Sequence, residues 1–127
     1  MRIRKFGFLN VAVILLAMNG PRAFAHAHLH KAVPAKNEVV HQAPQRVSLS
    51  FSEALEPAMC KVEVKDLGTG EVISDGKLKA VEATTLEVAL KPLKASKGVY
   101  EVSWKVVSKD THKMSGLYKF TVDPTAK

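Results

Sequence analysis

An all-β sandwich is the fold this chain predicts, on three observations. Apolar residues recur at every second position: Val47, Leu49 and Phe51 alternate with Ser48, Ser50 and Ser52, and Tyr100, Val102, Trp104 and Val106 keep the same period. Such stretches return about every 8 to 14 residues with turn-forming residues between them. No apolar stripe holds helical spacing over three turns.

Residues 1–25 read as a secretory signal. Arg2, Arg4 and Lys5 form its positive start, Phe6 to Met18 its short apolar run, and Ala23-Phe24-Ala25 offers small residues to a signal peptidase. The apolar run falls short of the roughly 18 residues a spanning helix needs, and no later stretch reaches that length, so a soluble exported domain over residues 26–127 is expected. Arg2 and Arg4 are not adjacent, which argues for export of an unfolded chain rather than a twin-arginine route. A cut after Ala25 leaves His26 at the chain start; a competing cut after Ala27 leaves His28 there.

Strands follow in order. From His26 the alternation sets His26, His28, His30 and Ala32 on one side and Ala27, Leu29, Lys31 and Val33 on the other, so Leu29 and Val33 are expected to anchor a first strand to the core. Pro34 to Asn37 reads as a turn, Val47 to Phe51 as a strand, and Glu53 to Ala58 as a loop. Val62 and Val64 mark the next strand, Asp66 to Gly70 turns it, and Glu71 to Ser74 returns as a short arm before Asp75-Gly76 turns the chain again. Leu78 and Ala80 suggest a brief strand, and Leu86, Val88 and Leu90 the inner face of a firmer one. The Tyr100 strand and a last strand with Tyr118, Phe120 and Val122 inward complete about seven strands. Tyr100 and Trp104 on a late strand match the core of Greek-key sandwiches.

Composition narrows the function. The chain has 127 residues with 19 basic and 12 acidic; four of the basic ones, Arg2, Arg4, Lys5 and Arg22, lie in the signal, so the exported part carries 15 against 12. These charges are mixed in sign, which argues against nucleic acid as a partner. Cys60 is the single cysteine and cannot form an internal disulfide. It reads as a small packed residue beside a strand; the alternative is that Met59 and Cys60 together catch a soft ion.

The chemistry concentrates at the new chain start. A free α-amino group and the imidazole of His26 belong to one residue and can chelate one ion, and His28, two residues along an extended chain, points the same way. Asp110-Thr111-His112, in the connection between two late strands, is a second candidate, because Asp and His at i and i+2 can aim at one ion from extended backbone. With His30 counted at the same chain start, four of the five histidines fall in these two stretches; His41 sits in a polar loop and is expected to be solvated.

The run Gly98-x-Tyr100-x-Val102-x-Trp104-x-Val106-Val107-Ser108-x-Asp110-x-His112-x-x-Ser115-Gly116-x-x-x-Phe120-x-Val122, with His26-Ala27-His28-Leu29, Pro34-Ala35 and Phe51-Ser52-Glu53, resembles the CopC family of periplasmic copper-binding proteins. The resemblance spans nearly all of residues 26–127, and the place of Pro34 favours the cut after Ala25. It implies a Greek-key β-sandwich, cupredoxin- or immunoglobulin-like, that binds one Cu(II) through His26 (amine and side chain), His28, Asp110 and His112. It also implies that Glu53 orients a ligating imidazole from behind, although a solvated loop acid is an equal reading. Nitrogen donors with one carboxylate suit the tetragonal preference of Cu(II), and Zn(II) or Ni(II) would bind more weakly. Some relatives hold Cu(I) in a methionine-rich loop; here only Met59 and Met114 lie outside the signal, so no comparable Cu(I) site is expected. His30 departs from the family pattern and reads as a solvent-facing bystander.

The leading expectation is therefore a monomeric, periplasmic, non-enzymatic copper carrier that serves homeostasis or resistance. It would supply an inner-membrane importer of the CopD type or a periplasmic cuproenzyme. The rival is a histidine-brace copper enzyme, an oxidase or monooxygenase, which needs an open coordination position for O₂; Asp110 and a third imidazole leave less room for one.

Overall fold

The structure, a computed structural model, describes residues 28–127; His26 and the expected signal lie outside the described residues. Strands run over Leu29–Val33 (β1), Val39–Val40 (β2), Arg46–Phe51 (β3), Lys61–Asp66 (β4), Ser74–Glu82 (β5), Thr85–Leu90 (β6), Gly98–Val107 (β7) and Lys113–Val122 (β8), with a 3-10 turn at Pro57–Met59. Two four-stranded sheets result, in the orders β1-β3-β6-β5 and β2-β8-β7-β4. β5–β6 and β7–β8 are the consecutive strands that pair within a sheet, and every other connection crosses between sheets.

The period-two pattern explains what lies between the sheets. Val47, Leu49 and Phe51 from β3 and Leu86 and Val88 from β6 face Val62, Val64, Tyr100, Val102, Val106, Tyr118, Phe120 and Val122 from the second sheet, all buried. Tyr100 stacks on Phe120 with ring centres 5.5 Å apart, and Trp104 sits between Phe51 at 6.3 Å and Tyr118 at 6.1 Å. Trp104 is paired across the ladder with Gly116. A Cβ there would lie 2.3 Å from the indole, so the missing side chain is what lets the ring lie over β8.

Three elements differ from expectation. Leu29 pairs with Phe51 and Lys31 with Ser50, so His30 is an extra residue, a β-bulge. The bulge resets the alternation: Leu29 and Ala32 pack against the core, whereas Val33, expected to anchor the strand, is 52% exposed. At Asp75-Gly76 the chain does not turn back. Gly76 takes φ +76° and Lys77 N–H donates to Asp75 Oδ1 at 2.9 Å, yet Ser74 and Leu78 pair with Leu90 and Val88 of the same neighbour, so the turn chemistry makes an irregularity inside β5. The two-residue β2, which runs parallel to Thr121–Val122 of β8, carries no pattern long enough to foresee and makes the described strands eight. The expected return after Asp66 is present: Lys65 bridges Val72, and Ile73 N–H donates to Val64 O at 2.8 Å.

For the site, the β7–β8 hairpin matters most. Its register runs unbroken from Gly98↔Val122 to Val107↔Lys113, so Ser108 to His112 form its tip.

Candidate metal centre

Ser108 is the hub of that tip. It is 1% exposed, and its N–H donates to His112 O at 3.0 Å while its carbonyl accepts Thr111 N–H at 2.9 Å. Closing the loop this tightly puts Thr111 at φ +71°, a left-handed conformation unusual for a residue other than glycine. The Ser108 hydroxyl donates to Asp110 Oδ1 and accepts His112 N–H at 3.2 Å. Asp110 Oδ2 lies 3.1 Å from His112 Nδ1, so the two expected ligands of the Asp-x-His pair are in direct contact. A neutral His112 ring that donates from Nδ1 keeps its lone pair on Nε2. The Ser108 hydroxyl is the main reason the Asp110 carboxyl is held below its ordinary value, and neighbouring His112 acts in the same direction.

His28 reaches the same end of the sandwich by another path. Its N–H donates to Ser52 Oγ at 2.9 Å and its carbonyl accepts Ser52 N–H at 2.9 Å, a reciprocal clamp one residue beyond β1. Two residues further along that segment, Ala54 O accepts Lys109 N–H at 2.9 Å, and Leu55 bridges Ser108. One short stretch, Ser52–Leu55, is thus hydrogen-bonded to His28 at one end and bonded to Ser108 and Lys109, at the root of the Asp110–His112 turn, at the other. Glu53 lies between them, half-buried.

Among the described residues, no group of three or more His, Cys, Asp and Glu side chains is assembled for a metal. Asp110 and His112 are brought together as a pair; His28 is exposed on the neighbouring rung; the remaining expected ligand, His26, lies outside the described residues. The donors present, two imidazoles and a carboxylate whose side chains remain accessible to solvent, fit a borderline cation such as Cu(II) better than a hard oxygen-seeking one. The other candidates stand in different surroundings. His30 is exposed on the bulge, and His41 is exposed with Nδ1 3.3 Å from Asp123 O. Cys60 is half-buried, donates to Glu56 O at 3.2 Å and accepts Val107 N–H at 3.4 Å; burial pushes its thiol pKa up. Met59 borders a surface cavity with Met114, and Cys60 borders another beside Ser74 and Leu78.

In the sequence Ser52 and Ser108 stand out only as motif positions, with no task attached. A serine two residues before an aspartate is the visible trace of such a hydroxyl-to-carboxylate contact, but the spacing alone does not distinguish it from a surface serine.

A CopC domain family model matches residues 29–123. The chain belongs to the CopC family. Protein YobA of Escherichia coli strain K12 is 35% identical over 120 residues, which cover 88% of this chain and 90% of that protein. The crystal structure of CopC from Methylosinus trichosporium OB3b superimposes with a TM-score of 0.66 at 30% identity, covering 80% of this chain and 98% of that one. The structure of PcoC, described as a methionine-rich copper resistance protein from Escherichia coli, gives a TM-score of 0.66 at 28% identity, covering 78% and 100%. The sandwich is therefore a CopC-type fold. Membership assigns this CopC-family chain a general copper-binding role among periplasmic copper resistance and homeostasis proteins, which are not enzymes. The histidine-brace enzyme reading gains no support.

Proposed function

We propose that this protein is exported, trimmed after Ala25, and binds one Cu(II) with the amine and imidazole of His26, His28, Asp110 and His112. The observation that carries the reading is the shared Ser52–Leu55 segment, which bonds the His28 backbone and also Ser108 and Lys109 at the root of the Asp110–His112 turn. When bound, the ion supplies no reaction; it is cargo. His112 offers Nε2 because Asp110 occupies Nδ1, and the Asp110 carboxylate offsets part of the ion's charge. Glu53, half-buried between the two rungs, orients a ligating imidazole. With Met59 and Met114 the described methionines, a thioether-rich Cu(I) site has little to build on. The carrier acts as a monomer and hands copper to an inner-membrane importer of the CopD type or to a periplasmic cuproenzyme.

The test combines the N-terminal mass of the exported protein with an electron paramagnetic resonance spectrum of its Cu(II) form. A chain that starts at His26 and shows nitrogen-rich tetragonal copper, lost in His112→Ala, is the expected result. A chain that retains Ala25, or a spectrum insensitive to His112, refutes it.

A further inference from the structure

The Ser108 hydroxyl sits where a ligand turn can be set before any ion arrives. It is buried at the root of the hairpin tip, it donates to the Asp110 carboxylate, and it accepts the His112 main-chain N–H. The same residue is fixed to the body by its bridge to Leu55 and by the end of a ten-pair ladder. Asp110 and His112 stand on an exposed tip, and ordering side chains on binding costs affinity. We propose that Ser108 is a positioning residue of the metal centre, whose hydroxyl fixes the Asp110 carboxylate and thereby the ring orientation of His112. The inference rests on the Asp110–His112 copper reading above. Alanine at position 108 removes a hydroxyl that touches both residues and leaves the backbone of the turn able to close.

The experiment uses the trimmed protein and Cu(II) in competition with a chelator, for the wild type, Ser108→Ala, Ser108→Thr and His112→Ala, together with long-range proton–nitrogen spectra of the His112 ring in the metal-free protein at a pH where the ring is neutral. Ser108→Ala is expected to weaken Cu(II) binding about ten- to a hundredfold, as loss of an orienting partner does. It should also change the His112 ring from a single Nδ1–H tautomer to a mixture, with the circular dichroism of the sandwich retained. Ser108→Thr, which restores a hydroxyl, is expected to recover both. If His112→Ala weakens copper binding but Ser108→Ala binds like the wild type with an unchanged ring spectrum, the inference is wrong and the metal site stands. If threonine recovers the fold but neither affinity nor tautomer, Ser108 is structural and the inference is again wrong. If His112→Ala itself leaves affinity unchanged, the metal-centre reading falls and takes the inference with it.

Discussion

The two stretches that converge on the candidate metal centre are held in opposite ways. The Asp110–His112 turn caps a hairpin with an unbroken register from Gly98↔Val122 to Val107↔Lys113, and most of its internal bonds pass through a buried serine. The arm from His28 to Val33 is an edge strand, bulged at His30, bonded to β3 on one side and clamped at its start by Ser52. The turn is therefore pre-set by the fold, while the arm owes its place to a few bonds and, on the copper reading, to proteolysis that creates its chelating amine. Rigid scaffolds position ligands well, and chain ends fray unless tied. The contrast predicts that damage to the turn is felt in affinity, and damage to its supporting hairpin in stability.

Four measurements break or sharpen that contrast. His112→Ala has the largest expected effect: loss of a ligand from the pre-set half lowers Cu(II) affinity beyond the roughly hundredfold upper range typical of orienting partners, as read by chelator competition. Next, Gly116→Ala forces a Cβ against the Trp104 indole, a clash at 2.3 Å. It is expected to destabilise the hairpin by about 1–3 kcal/mol in denaturant unfolding; a variant as stable as the wild type would show that the ring can move aside. On the arm, Leu29→Ala is expected to cost about 1 kcal/mol, because the leucine packs on the core only in part, and Val33→Ala less than about 0.5 kcal/mol. Equal costs at the two positions would contradict the bulge at His30.

The smallest effect lies at the far end of the same hairpin. Asp123 accepts from Thr125 and pairs with Lys97 at 3.0 Å, contacts that lower its carboxyl pKa to about 2. A depressed carboxylate stabilises the folded state above its unfolded value near 3.8, and that contribution fades as pH falls towards about 2. Asp123→Asn is thus expected to lower stability slightly at neutral pH and to converge with the wild type near pH 2, measured by denaturant unfolding across that window. A constant difference at all pH values would mean that the charge is not what matters there.

Much of the architecture was legible because a sandwich writes its burial into period two: Val47, Leu49, Phe51, Tyr100, Val102, Tyr118, Phe120 and Val122 are all inward and buried as the alternation demands. Where the alternation breaks, the reading broke with it. A bulge adds one residue without any residue type that announces it, so strict alternation points to Val33 where Ala32 packs inward. Asp75-Gly76 carries real turn chemistry, but whether such a dipeptide reverses a strand or merely kinks it depends on which neighbour the chain pairs with afterwards.

For the site, the residue types sufficed to mark Asp110 and His112, since a carboxylate and an imidazole two apart in a strand connection can meet, and they do, at 3.1 Å. Sequence also determined the fold class, the family and the poverty in methionine, all of which follow from local order along the chain. Tertiary structure alone decided that Ser52–Leu55 is bonded to both the His28 arm and the Asp110 turn, and that Ser108 is the buried hub of that turn. The Ser52–Leu55 bonds join residues 24 to 55 positions apart, and no local pattern encodes which distant backbone groups satisfy one another's hydrogen bonds.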